Sequence, residues 1–114
     1  MTKPLKDEDR ILHMLDAARK AADFVRGRNR VDLDKDEKLA LAVIHLLEIV
    51  GEAASNVSAD LCRRYPDIPW KKIAGTRNRL AHGYFDVDLD IVWQIATTQL
   101  PPLILELKKI VFPI

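Results

Sequence analysis

Residues 35–55 read KDEKLALAVIHLLEIVGEAAS, and their apolar side chains recur at intervals of three and four. This spacing places them along one face of an α-helix, which has 3.6 residues per turn. The apolar stripe consists of Leu39, Ala42, Val43, Leu46, Ile49, Val50 and Ala53. Asp34 or Asp36 is the expected N-cap, because a short acidic side chain accepts hydrogen bonds from the first free amides. The segment predicts one long amphipathic helix in the middle of an all-α protein.

Four further helices are predicted around this one from apolar spacing and from helix-ending residues. They cover residues 7–26, residues 58–65, residues 69–82, and the chain from about residue 88 onward. Gly27 ends the first, and Pro66 ends the second, because the residue before proline is pushed out of helical angles. The last is expected to kink or restart at Pro101 and Pro102, which lack amide donors. We therefore expect a compact up-and-down bundle of about five helices.

The composition of the 114 residues bounds the protein class. A chain of this length buries roughly two-thirds of its extended surface, so we expect one domain over residues 1–114 and no large two-domain enzyme. Lys and Arg number 18 against 17 Asp and Glu, so the overall charge of +1 supplies no argument for a nucleic-acid, membrane or acidic partner, and any such argument must come from a local segment. The single cysteine excludes an internal disulfide. No export signal or membrane-spanning run is visible, and we expect a cytoplasmic protein.

Two acidic runs, Asp32-Leu-Asp34-Lys-Asp36 and Asp86-Val-Asp88-Leu-Asp90, match the opening of a calcium loop. The sixth position of that loop requires glycine, but it is Glu37 or Ile91 here. We therefore interpret both runs as acids at helix N-termini, where they interact favourably with the helix dipole.

One flank of the long helix carries His45, Glu48 and Glu52 at intervals of three and four. Helical di-iron sites use paired Glu-x-x-His units on separate helices, whereas this chain has one reversed unit. We expect a solvated or interface flank and no metal or cofactor. His13 has no carboxylate or histidine neighbour at ligand spacing and is interpreted as a surface or boundary residue.

Residues 69–85, PWKKIAGTRNRLAHGYF, contain four cationic residues and no acid. Such a segment can attract a phosphodiester, although cations also favour a helix C-terminus without any ligand. Arg77 falls on the same helical stripe as Trp70, Ile73 and Leu80. An unpaired buried charge is very costly, so Arg77 must reach water, a cleft or a carboxylate, for which Glu48 or Glu52 is a candidate.

Arg77 is followed after four residues by His82 and then, after one more, by Tyr84. This motif resembles that of the HEPN superfamily, and in particular its HepT-like branch. The resemblance extends to DRILHMLDAAR at residues 9–19, HLLEIVGEAA at 45–54 and HGYFDVDLDIVW at 82–93, and so covers nearly the whole chain.

The resemblance implies a helical bundle that forms a homodimer, with two motifs facing a shared cleft, and acts as a metal-independent endoribonuclease. HepT-like proteins are toxins typically encoded beside an MntA-like nucleotidyltransferase antitoxin, which can transfer AMP to the motif tyrosine, here Tyr84. In this interpretation Arg77 stabilises the phosphorane charge and His82 is the general acid or base. The supporting substrate contacts are Lys72, Asn78, Arg79 and Tyr84. The resemblance does not distinguish tRNA from mRNA as the RNA substrate.

Two other classes of function stay open at this point. Many HEPN domains are thought to be inert, and the chain would then be a binding module that docks a nucleotidyltransferase. A small-ligand-binding bundle is a weaker alternative that rests only on general pocket statistics.

Overall fold

A computed structural model describes residues 6–80 and 87–112, and of Arg77 it describes the backbone. Within these ranges the secondary structure is helical, and no β-strand is formed. The helices are α1 (Asp7–Val25), α2 (Asp32–Lys35), α3 (Glu37–Ser55), α4 (Ala59–Arg64), α5 (Trp70–Ala74), α6 (Thr76–Leu80), α7 (Leu89–Gln94) and α8 (Leu100–Val111). A π-helical turn, Ile95–Gln99, joins α7 to α8. The predicted all-α class is confirmed.

The two long helices, α1 and α3, form the centre of the structure and pack most extensively against each other. Ala17, Ala18 and Ala21 on α1 are buried, and such small side chains let the helices lie close together. Helix α8 covers a second side of α1, and α5 covers a second side of α3. Apolar side chains from all of these helices join one continuous core.

The buried face of α3 differs in part from the predicted stripe. Leu47 is 1% exposed, whereas the predicted Leu46 and Ile49 are only partly buried. The reason is that α3 packs against α1 on one side and α5 on another, so its buried face is wider than one stripe. Gly51 and Ala54 belong to this wider face.

Local capping explains where two helices begin. The Asp36 carboxylate accepts a hydrogen bond from the Leu39 amide at 3.1 Å, which selects Asp36 over Asp34 as the N-cap of α3. The Ser58 hydroxyl accepts from the Leu61 amide at 3.2 Å and caps α4. Both caps act over a few residues, and the sequence predicted the start of each helix within one or two residues.

The segment predicted as one helix over residues 69–82 is divided into two helices at Gly75, so the prediction of a single continuous helix is wrong. Helix α5 ends at Ala74, and Gly75 has a ψ angle of −2°, well away from the helical value. The next helix begins at Thr76 and is described as far as Leu80. Also unpredicted is α2, a single turn within the expected loop over residues 27–34.

The restart expected near Pro101 and Pro102 is confirmed. Both prolines lie in the first turn of α8, where their missing amides cost no helical hydrogen bond. The π-helical turn directly precedes them and contains the extra residue that separates the two helical registers. Of the helices that the structure describes, none is long and apolar enough to cross a membrane.

Candidate functional site

Helix α6, which contains Arg77, packs against α3. A Cβ atom added to Gly51 would lie 3.2 Å from the Ile73 carbonyl oxygen and 3.5 Å from the Thr76 Cβ. The junction of α5 and α6 therefore approaches α3 as closely as a residue without a side chain permits. Thr76, the residue next to Arg77, is 5% exposed, which makes this contact part of the core.

The apolar residues predicted around Arg77 are buried as expected. Trp70 and Ile73 anchor α5, and Leu80 anchors α6 with 2% of its surface exposed. The Trp70 indole nitrogen donates to the Tyr65 carbonyl oxygen at 3.0 Å, so the ring is both packed and hydrogen-bonded. The Arg77 side chain lies outside the described atoms, and its pairing with Glu48 or Glu52 stays a prediction.

The predicted supporting residues differ in their surroundings. Asn78 is exposed on α6 beside Arg77. Arg79 is half-buried; its Nη1 atom is buried and has no hydrogen-bond partner in the part of the chain that the structure describes. Such an atom carries a desolvation cost until a partner is supplied.

Lys72 lies one helix earlier, on α5. Its exposed side chain borders a cavity of about 270 Å³, which has Leu47, Ile73 and Leu103 among its apolar walls. The π-helical turn also contributes to this cavity, which is formed by α3, α5 and the start of α8. The structure thus brings Asn78 and Arg79 onto the helix of Arg77, and leaves Lys72 on its neighbour.

His82 and Tyr84 lie at positions 81–86, outside the described residues. The chain on either side of them is well attached. Leu80 is buried before them, and after them the Asp88 carboxylate accepts hydrogen bonds from the amides of Asp90 at 2.9 Å and Ile91 at 3.3 Å.

An arginine links the start of α7 to α2. The Arg30 guanidinium contacts the carboxylates of Asp90 at 2.7 Å and Asp34 at 3.1 Å. The hydrogen bond to Asp90 raises the pKa of Arg30. Asp32 and Asp34 lie in the first turn of α2, Asp36 and Asp88 are N-caps, and Asp90 lies in the first turn of α7, which confirms the prediction for these acids; Asp86 lies outside the described residues.

A groove between α1 and α3 contains a cluster that sequence reasoning missed. It has a volume of about 440 Å³, and its lining residues are Arg10, His13, His45, Glu48, Ile49, Glu52 and Ala53. His13 is exposed but joins His45 and Glu48, because α1 and α3 pack side by side. The sequence indicated the flank of His45, Glu48 and Glu52 on α3, but it gave no sign that Arg10 and His13 of α1 would face that flank. Among the described residues, no three His, Cys, Asp or Glu side chains are arranged to hold a metal ion.

Comparison with known proteins identifies the family. The family model described as Ribonuclease HepT-like matches residues 14–110. "Putative RNase MJ0127" of Methanocaldococcus jannaschii is 35% identical over 109 residues, 95% of this chain and 90% of that protein. "Putative RNase TTE0752" of Caldanaerobacter subterraneus subsp. tengcongensis is 35% identical over 98 residues, 86% and 88% of the two chains.

A third relative carries the family name itself. "Probable ribonuclease HepT" of Thermococcus cleftensis is 43% identical over 68 residues, 60% of this chain and 62% of that protein. No solved structure matches the chain. The match covers most of the chain, including the helix of Arg77, and the fold is all-α. The chain therefore belongs to the HepT-like ribonuclease family of the HEPN superfamily.

Proposed function

We propose that this protein is a metal-independent endoribonuclease that acts as the toxin of a toxin-antitoxin pair. The observation that carries the proposal is the complete motif of Arg77, His82 and Tyr84 within a chain of the HepT-like ribonuclease family. The packing of α6 supports it, because a buried Thr76 and the side-chain-free Gly51 hold the backbone next to Arg77 in one position. The guanidinium of Arg77 must contact a charge that develops during the reaction, and such a group requires a fixed position.

In the proposed reaction, the 2′-hydroxyl of a ribose attacks the adjacent phosphorus. A new bond from O2′ to phosphorus forms while the bond from phosphorus to O5′ breaks, leaving a 2′,3′-cyclic phosphate and a 5′-hydroxyl. An imidazole accepts the 2′-hydroxyl proton, and another donates one to the leaving O5′. The guanidinium of Arg77 stabilises the extra negative charge on the phosphorane oxygens. The need for a 2′-hydroxyl explains selectivity for RNA over DNA.

Each chain has only one His82, so a complete acid and base pair is best supplied by a homodimer with two motifs at a shared cleft. Asn78 lies beside Arg77 on the exposed side of α6 and can contact a phosphate oxygen there. Arg79 and Lys72 add positive charge to the same two helices, which attracts RNA although the whole chain is nearly neutral. Residues 1–114 form the one domain that carries these groups.

Neutralisation is assigned to an MntA-like nucleotidyltransferase acting on Tyr84 in the cytoplasm. The phenol oxygen of Tyr84 attacks the α-phosphorus of ATP, pyrophosphate leaves, and the phenol proton passes to solvent. The bound AMP adds bulk and negative charge two residues from His82. Both effects oppose binding of a phosphodiester at the motif.

The test compares purified wild type with Arg77→Ala and His82→Ala, incubated with total RNA and tRNA in EDTA. Each variant is expected to cleave at least about 100-fold more slowly, the usual contribution of an acid-base or charge-stabilising group. Arg63→Ala is the matched control, since Arg63 is an exposed arginine on α4 outside the motif. Circular dichroism and gel filtration confirm that every variant is folded and has the wild-type oligomeric state.

Undiminished cleavage by either motif variant would refute the assignment. A wild type that cleaves no RNA, yet binds the nucleotidyltransferase, would identify the inert binding module instead. A parallel incubation with the nucleotidyltransferase and ATP should stop cleavage by wild type and leave cleavage by Tyr84→Phe unaffected.

A further inference from the structure

The groove between α1 and α3 is not used by the proposed mechanism, and its chemistry points to a ligand. Arg10, His13, His45 and Glu48 all line it, and none of these four side chains makes a hydrogen bond or ion pair within the described part of the chain. Glu48 is half-buried, so its carboxylate is partly removed from water, and no described residue donates a hydrogen bond to it in compensation. The volume of about 440 Å³ falls within the range of small-molecule sites.

The mixture of charges indicates which part of an RNA the groove suits. A phosphate requires a positive surface, but the groove holds one arginine and two glutamates. A nucleobase requires planar side chains on which to stack and polar atoms for its Watson–Crick edge. The imidazoles of His13 and His45 meet the first requirement, and the Glu48 carboxylate meets the second. Ile49 and Ala53 add an apolar surface.

The groove also lies close to the motif helix. Glu52, at one end of it, directly follows Gly51, which touches the junction of α5 and α6. From there the groove extends along α3 to His45, seven residues away, or about 10 Å at 1.5 Å per residue. A nucleotide flanking a bond held near Arg77 is within reach of it.

We propose that this groove binds the base of a nucleotide next to the cleaved bond and that Glu48 selects guanine there. Guanine presents two neighbouring N–H donors, N1–H and the exocyclic N2–H, which match the two oxygens of one carboxylate. Uracil has no exocyclic amine and cannot make this pair. His13 and His45 stack against the base, and Arg10 lies at the end of the groove near Glu52. The inference rests on the proposed ribonuclease function but concerns a separate set of residues.

The first experiment reads cleavage specificity. A random-sequence RNA is cut to low extent, and the bases flanking the new ends are sequenced. Wild type is expected to enrich guanine about 5- to 150-fold at one fixed position, the discrimination expected of a bidentate base contact. Glu48→Gln, which replaces one acceptor oxygen by a donor, should lose that enrichment. Glu37→Gln is the matched control, because Glu37 is exposed on the same helix outside the groove.

The second experiment needs no cleavage. The ring proton signals of His13 and His45 are followed by NMR while guanosine or uridine is added. Guanosine is expected to shift both signals in wild type and neither in Glu48→Gln, whereas uridine shifts neither. Because both probes are uncharged nucleosides, a phosphate effect cannot produce this result.

The two experiments separate the two proposals. If wild type cleaves RNA but Glu48→Gln keeps the same base enrichment, or guanosine shifts neither histidine, the base site is refuted and the ribonuclease stands. If guanosine shifts both histidines in a Glu48-dependent way but no RNA is cut, the base site stands and the ribonuclease is refuted.

Discussion

Gly51 leaves little room for a side chain, and its replacement tests whether the contact between α3 and α6 is required. An added Cβ would lie 3.2 Å from the Ile73 carbonyl oxygen, 3.5 Å from the Thr76 Cβ and 3.8 Å from the Ala74 carbonyl oxygen. Two of these three neighbours are backbone atoms, which move only if the junction of α5 and α6 moves. A larger side chain must therefore displace the helix that carries Arg77.

The expected change in the free energy of unfolding is the sum of two opposing effects. Replacing a glycine within a helix by alanine gains about 1 kcal/mol of helix propensity, and the single methyl group requires a shift of a few tenths of an ångström. We expect the free energy of unfolding of Gly51→Ala to lie within about 1 kcal/mol of the wild-type value. Gly51→Leu adds three further carbons, for which overpacking costs about 3 kcal/mol. The net loss is about 2 kcal/mol, or roughly 10 °C in melting temperature for a chain of this size.

The assay combines urea unfolding, followed by circular dichroism, with initial rates of RNA cleavage well below the melting temperature. Gly51→Leu should cleave up to about 100-fold more slowly, since a displacement near 1 Å is enough for such a loss. Gly27→Ala is the control. Gly27 has a φ of +75° and no atom near its added Cβ, so alanine costs about 1 kcal/mol of strain in the turn after α1, outside the contact between α3 and α6.

The Gly27→Ala variant should lose stability and keep its cleavage rate. If Gly51→Leu melts at the wild-type temperature, the packing argument is wrong. If it is destabilised but cleaves at the wild-type rate, the position of α6 does not depend on this contact.

Two further variants test contacts between distant parts of the chain. Ser58→Ala should cost about 1 kcal/mol through loss of the α4 cap. It should also flatten the acid limb of the stability curve. The Ser58 hydroxyl donates a hydrogen bond to the Asp7 carboxylate at 2.6 Å and lowers the pKa of Asp7 below its usual 3.8, so this contribution to stability is present above pH 3.8 and is lost as the pH falls through the lowered pKa. The Ser58 amide, which also donates to Asp7, remains in the alanine variant. Arg30→Ala should accelerate amide hydrogen exchange in the first turn of α7 by removing the ion pair with Asp90, an effect that high salt reproduces in wild type. Unchanged hydrogen exchange in Arg30→Ala would contradict the role of the ion pair with Asp90. An unchanged acid limb in Ser58→Ala would contradict the role of the hydrogen bond to Asp7.

The helices that sequence reasoning located well are those with local signals. Helices α1, α3 and α4 begin and end within one or two residues of prediction. Asp36, Ser58 and Gly27 mark these boundaries, and each acts on amides or backbone angles within three residues. Nothing distant along the chain is needed to place them.

The features that were missed all depend on contacts between helices. The break at Gly75 lies where the chain meets Gly51, 24 positions earlier. The groove brings His13 next to His45 only because α1 packs against α3. Neither pairing leaves a periodic pattern in the sequence, which records the spacing within one helix and not the alignment of two.

For the site itself, the sequence alone determined which residue types are available: the spacing of Arg77, His82 and Tyr84, and the concentration of positive charge in residues 69–85. It also determined that Arg77 lies within a helical segment whose apolar residues Trp70, Ile73 and Leu80 are buried. Only the tertiary structure decided that α6 starts after a break and rests on Gly51, and that a separate groove lies along α3. The physical reason is that capping and periodicity are properties of neighbouring residues, whereas close packing is decided by whichever side chains are small enough where two helices cross.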